Sequence, residues 1–300
     1  MDNLTHSLVG ALLGQCGLKK KTGLAMPALI LGANLPDIDA ACFFWLDGQG
    51  HLGFRRGITH GPIAWVILPL VLAGLLWGWD RWQAKRGKRP EKRLPINFTW
   101  LYLLSLIGCL SHPALDWMNV YGIRLLEPFS SQWFYGDVLF IIDVWLWALL
   151  IGSVWISLRR EKRGGEWMKP ARTALVVMLA YIGVNAVISE VSLASGPRHR
   201  VTIANPLPIA FWERQVITGS DGRYLVDNVP LGDFDLLETD KPDIIAAVPE
   251  AAPFLFWSRA PFIHVTQDGR YLLQDARFSG RGEGAFTIEL PAEVCEPQEF

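Results

Sequence analysis

In the apolar stretch Leu31–Trp45, LGANLPDIDAACFFW, two carboxylates, Asp37 and Asp39, sit among side chains suited to hydrocarbon. His6, Arg56, His60, His112, Asp116 and Asp143 hold comparable positions in or beside other apolar runs. An Asp at the centre of a spanning helix costs roughly 2.5–3.5 kcal/mol on insertion scales, so such groups persist where they face a cavity, pair, or bind a cation. Three His and three Asp form a donor set for Zn²⁺, or for Mn²⁺ or Fe²⁺ at a mixed nitrogen–oxygen site. The candidate ligands His6, Asp37, Asp39, His60, His112 and Asp116 outnumber those of a structural zinc centre. The surplus points to two ions sharing a carboxylate, or to one ion with acids behind its ligands. A metal-activated water attacking an ester is the chemistry such a set suits. Asp37 or Asp39 would act as general base, and Arg56 would bind a phosphate through two parallel N–H donors. A lone intramembrane His is more often a helix–helix contact than a ligand. Only the whole set, brought to one depth, points to a metal.

Local patterns say how these groups could converge. In SHPALD, residues 111–116, His112 and Asp116 are spaced i, i+4 and share a helix face, unless Pro113 bends the helix there. In LPDID, Pro36 breaks a helix, which membranes tolerate where the break lines a cavity. Asp37 and Asp39 share a face if that segment is extended, whereas in a tight loop either could point inward. In RRGITHGP, residues 55–62, Gly57 and Gly61 free the backbone around His60. Asp143 is the weakest candidate ligand. His51 is a marginal one, and His199 and His264 read as surface residues.

The elements that must position these groups are helices. Gly61–Trp79, Phe98–Met118, Val138–Ser157 and Arg172–Val191 each approach the roughly 20 residues that cross a bilayer core. Gly23–Trp45 is long enough but interrupted, and Leu4–Leu18 is a short amino-terminal helix. Basic clusters at Lys19–Lys21, Asp80–Arg93 and Leu158–Arg172 fall in the cytoplasm under the positive-inside rule. Alternating spans then put His6, Asp37, Asp39, His60, His112, Asp116 and Asp143 at one outer level. Trp117 and Trp133 fit an interfacial belt there. The first residues, MDNLTHSLVG, lack the positive region of a secretory signal. The expectation is a multi-pass protein of the bacterial inner membrane.

Composition agrees. Of 300 residues, 51% are hydrophobic and 19% charged, below the roughly 25% charged of globular domains. A net charge of −1 gives no basic field for nucleic acid. The four cysteines, Cys16, Cys42, Cys109 and Cys295, show no paired spacing and read as small apolar residues. From His199 onward, short alternating runs replace the long apolar ones. VITGSDGRYLVD (216–227) and HVTQDGRYLLQD (264–275) echo each other, and Asp-Gly between β-prone runs is a hairpin signal. The fold expected is an α-helical membrane bundle over residues 1–195, about five spans plus the short first helix, and a mostly-β extramembrane domain over 199–300, on the periplasmic side.

At Thr5-His6, LPDID (35–39), RGITH (56–60), HPALD (112–116), YGIRLL (121–126) and FIID (140–143), the sequence resembles the YdjM-like family of bacterial membrane-bound, metal-dependent hydrolases. The matches span residues 5 to about 143. The pattern departs from the expected one at Gly61 and at Val144. The resemblance implies a helical inner-membrane protein with hydrolase activity, in a family with some members under LexA control. The first functional expectation is thus a metal-dependent esterase or phosphoesterase with one or two divalent ions, zinc first. Membrane lipids would be its surroundings and a lipid-like phosphoester its substrate, with no nucleic-acid partner and a β domain whose protein partner the sequence does not name. The alternative is a non-enzymatic scaffold with a structural metal or polar cluster. A transporter would spread acids through the bilayer and repeat between halves, and neither pattern is present.

Overall fold

Asp2 starts the first helix, α1 (Asn3–Gln15), by accepting hydrogen bonds from the backbone N–H groups of Leu4 and Thr5. A second helix, α2 (Ala25–Gly32), ends where Pro36 would have to sit in a helix interior, and a 3-10 segment, Leu35–Phe44, follows it at a bend of 50°. After α3 (Gly50–Phe54) come α4 (Pro62–Lys85), with Pro62 in its first turn, and α5 (Phe98–Trp117), capped by Asn97. Asp143 caps α6 (Val144–Lys162) through the N–H groups of Trp145 and Leu146, and α7 (Met168–Ala194) is the last long helix.

The computed structural model describes residues 1–194, 199–281 and 286–295. Among these, α4, α5 and α7 are long and apolar enough to cross a membrane, and the bent pair of α2 and Leu35–Phe44 raises the number to four. The difference from the five spans expected lies in α6. Its apolar part, Val144–Leu158, extends about 22 Å at 1.5 Å per residue, short of a core of about 30 Å. Arg159, Arg160, Glu161 and Lys162 fill its last turn.

The chain divides into two units. The first holds Met1–Asp39, Arg56–Ala186 and Pro208–Phe211. In it Val9, Leu12, Leu115, Leu146, Leu150 and Met178 join α1, α5, α6 and α7 in one apolar cluster, and Ala28, Leu29, Ala73, Leu101 and Leu104 join α2, α4 and α5 in another. Two glycines set how closely α2 and α5 approach. A Cβ on Gly32 would lie 2.7 Å from the Ser105 carbonyl oxygen, and one on Gly108 2.5 Å from that of Leu29. Larger side chains would push these backbones apart.

The second unit holds Ala40–Arg55, Val187–Leu207 and Trp212–Phe300. Strands β1 (Val201–Pro206), β2 (Arg214–Ser220), β3 (Arg223–Val226) and β4 (Val229–Leu231) form an antiparallel sheet in sequence order. Strands β5 (Pro261–Val265), β6 (Tyr271–Asp275) and β7 (Thr287–Leu290) form a second. Between the sheets in the chain lie two short helices, α8 (Lys241–Ala247) and α9 (Ala251–Trp257), which the alternation of the sequence does not announce. The echoing Asp-Gly hairpins close differently. Asp221 and Gly222 both take positive φ in a two-residue turn between Ser220 and Arg223. In the other, only Gly269 does, because the Thr266 hydroxyl accepts from the Arg270 N–H and holds a longer loop open.

Candidate metal centre

The break after α2 puts Asp37 at the bundle's interior, its N–H donating to the Asn34 carbonyl. His60 closes a short 3-10 turn, Ile58–His60, and Gly61 follows it where a Cβ would lie 2.0 Å from the Glu127 carbonyl oxygen. Only glycine fits that crossing, which accounts for the departure at this position. Pro113 stays inside α5, so His112 and Asp116 do share a face, with His112 Nε2 3.5 Å from Asp116 Oδ2.

Asp37, His60, His112 and Asp116 form the centre, with one ligand atom from each lying within 4.8 Å of all the others. His60 Nε2 and His112 Nε2 are 3.1 Å apart. Asp37 Oδ1 lies 3.9 Å from the first and 3.7 Å from the second, and Asp116 Oδ2 lies 3.7 Å and 3.5 Å away. The side chains of His60, His112 and Asp116 are fully buried, and Asp37 retains 8% exposure. The open edge of the centre is therefore at Asp37.

The proton positions follow from what the outer ring nitrogens meet. His112 Nδ1 lies 2.7 Å from the Ala33 carbonyl oxygen, which can only accept, so Nδ1 carries the proton. His60 Nδ1 lies 2.9 Å from the Thr59 hydroxyl, whose own proton goes to Asp39 Oδ2 at 3.0 Å. The hydroxyl then accepts from His60, and Nδ1 is again the protonated nitrogen. Both Nε2 atoms of the neutral rings present lone pairs to each other and to two carboxylates. Arg56 and the Met1 amino group offset Asp116, and the two imidazole nitrogens and two carboxylate oxygens converge on a point that could hold a divalent cation. The donor set of two nitrogens and two carboxylate oxygens suits a borderline ion.

The remaining predicted residues surround this group. His6 stacks on His112 with ring centroids 3.8 Å apart, and its Nε2 is 3.3 Å from Asp116 Oδ1. Among the described residues neither of its buried ring nitrogens has a partner in hydrogen-bond geometry. The Met1 amino group also contacts Asp116 Oδ1. Asp39 lies behind His60, 3.5 Å from Nδ1, and accepts from the Arg56 N–H at 2.7 Å. Arg56 Nε pairs with Asp116 Oδ2 at 3.1 Å, while Nη1 donates to Asn119 Oδ1 and the Gly122 carbonyl. Its guanidinium lies over the Tyr121 ring at 4.5 Å. Arg56 takes φ +56°, an unfavourable conformation for a residue with a Cβ, fixed from both sides by Asp39 and by the Arg124 N–H on its carbonyl. Asp143 is elsewhere, capping α6 and accepting from the Tyr181 hydroxyl at 2.9 Å.

Sequence reasoning did not assign Thr59, Asn119 or the Ala33 carbonyl. Thr59 sits inside the RGITH pattern, so adjacency to a ligand could have singled it out. Asn119 is 63 positions from the arginine it holds, and no local pattern marks it. A backbone carbonyl leaves no trace in side-chain chemistry.

The model of the family described as YdjM inner membrane protein matches residues 1–191. An uncharacterized protein of Bacillus subtilis (strain 168), YfhP, is 24% identical over 141 residues, covering 44% of this chain and 39% of that protein. The chain thus spans well under half the length of this relative. No solved structure matches.

Proposed function

From the premise that the chain belongs to the YdjM inner membrane protein family, we propose that it is a divalent-metal-dependent hydrolase of the inner membrane, acting on an ester at the outer interface. The facing Nε2 atoms of His60 and His112, ringed by Asp37 and Asp116, carry this reading. Asp37, His60, His112 and Asp116 would hold the ion, with zinc favoured by the mixed nitrogen–oxygen set. A bound ion would supply Lewis acidity and lower the pKa of water toward neutrality.

The chain's own residues do the rest. Thr59 and Asp39 keep the His60 ring turned with Nε2 inward, and the Ala33 carbonyl does so for His112. Arg56 offsets the charge of Asp116 and fixes its carboxylate. With Asn119 and Gly122 already on its Nη1, positioning Asp116 fits Arg56 better than gripping a substrate phosphate. Asp37, at the exposed edge, is placed to take the proton of an attacking water and return it to the leaving alcohol. The depth of the centre under the positive-inside orientation favours a lipid or lipid-linked phosphoester. In that orientation α6 counts as a fifth span, its terminal arginines reaching to the headgroups, and the second unit is periplasmic.

Metal analysis of the purified full chain, paired with a panel of phosphoester and carboxylester lipids, tests the proposal. Wild-type protein should carry divalent metal and hydrolyse one substrate class. His60→Ala and His112→Ala should lose both, and their retention of metal would refute the assignment. An alkaline phosphatase fused to the carboxy terminus should be active, and inactivity would overturn the orientation. The full burial of three ligands favours a second reading, a closed structural site. It predicts wild-type metal content with no hydrolysis of any ester in the panel.

A further inference from the structure

Helices α6 and α7 both pack on α1, yet they leave a cleft of about 530 Å³ between them. Ala148, Leu149, Gly152, Ile156 and Val177 line its length, and Arg160 and Lys169 stand at one end. There it meets a second cleft of about 650 Å³, formed by Gly164–Lys169, Arg172 and Thr173 and including Glu166. Lys169 and Thr173 line both. The result is an apolar groove that opens into a basic cup. Arg172 is occupied by the Cys16 carbonyl, whereas Arg160 and Lys169 are exposed and form no ion pair among the described residues. The Gly165 N–H donates to the Arg160 carbonyl and fixes the turn that carries the cup.

The geometry points to a binding site for an anionic glycerophospholipid here, with an acyl chain along the groove between α6 and α7 and the headgroup phosphate against Arg160 and Lys169. Charge complementarity selects the occupant. An apolar helix of a partner would fill the groove but leave two cations unpaired at its end, whereas a lipid supplies chain and anion at the right separation. Basic pockets between membrane helices bind anionic headgroups in this way. The cup lies at the opposite end of α6 from Asp143, away from the metal centre, so this site does not depend on the hydrolase reading.

Gly152 provides the sharpest probe. A Cβ there meets nothing within 4 Å, so Gly152→Phe fills the groove without disturbing the helix. Gly74 in α4 is equally open and serves as the control. The full chain, purified in mild detergent, would be titrated with phosphatidylglycerol and with phosphatidylcholine and read by native mass spectrometry. Phosphatidylglycerol should bind more tightly. Arg160→Gln combined with Lys169→Gln should weaken it roughly 30-fold, from about 1 kcal/mol per cation, and weaken phosphatidylcholine, whose choline offsets its phosphate, much less. Gly152→Phe should weaken both lipids, and Gly74→Phe neither. Wild-type binding in the double variant and in Gly152→Phe would overturn the proposal. So would full competition by inorganic phosphate, which has no chain to seat. A dimer dispersed by Gly152→Phe with lipid binding unchanged would assign the groove to a second copy instead.

Discussion

Both units bury carboxylates beside an arginine, and they differ in what else meets them. In the second unit Asp275 and Arg277 are almost completely enclosed. Asp275 accepts from Arg277 Nε at 2.8 Å and Nη2 at 2.8 Å, from the Arg277 N–H, and from the Ser258 hydroxyl. The guanidinium lies 4.6 Å from the Trp257 ring centroid. Every element of that charge is answered by a residue a few positions away or by a hairpin neighbour. In the first unit Asp116 also meets cations, Arg56 Nε at 3.1 Å and the Met1 amino group, but it and Asp37 converge with two imidazole nitrogens on one point. The Asp275 site is closed by its own cation, whereas the four ligand atoms gathered in the first unit could hold one from outside.

The largest test of that contrast is Arg277→Met. Removing one partner of a buried pair should cost about 3–5 kcal/mol, read by chemical denaturation of the purified full chain. Adding Asp275→Leu should recover much of it, and an unaffected single variant would break the local half of the comparison. Next in size is chelation. Metal held at a hundred times its Kd stabilises by about 2.7 kcal/mol, so chelator should lower the melting temperature of wild type and leave that of His112→Ala unmoved. An equal response in both would break the other half. Thr59→Val sharpens the picture further. It removes the link between His60 and Asp39 and should weaken metal binding about 10–100-fold while leaving the stoichiometry intact.

Acid gives the smallest effect. Burial would raise the Asp275 carboxyl, but the charge and hydrogen bonds of Arg277, with the Ser258 hydroxyl, hold it below the usual carboxylate range. A depressed folded value means that the contribution is present above the unfolded pKa of about 3.9. It is lost as pH falls through the folded value. Asp275→Asn should therefore flatten the fall in stability below about pH 4, and an unchanged acid limb would remove Asp275 from the account.

Much of the helical unit was legible because apolar length is a one-dimensional property. The runs at Gly61–Trp79 and Phe98–Met118 became α4 and α5, and the Pro36 interruption became the bend. The span assigned to α6 was less legible, since its apolar face shortens where the arginines begin. The Asp221-Gly222 turn could be read from residue type, but the identical letters at Asp268-Gly269 could not, because the upstream Thr266 decides that loop.

The same boundary runs through the site. By itself the sequence determined that several His and Asp would reach one level of the membrane part, because spacing along apolar helices sets depth. Only the tertiary structure decided that Asp37 faces His60 and His112 while Asp39 stands behind Thr59. In a 3-10 segment, successive residues rotate by about 120°, so neighbours two apart diverge where an extended strand would align them. It also decided that Asn119 and the Ala33 carbonyl would hold Arg56 and His112. Contacts across such sequence distances depend on how closely α2 and α5 approach, and that distance exists only once the glycines between them have packed.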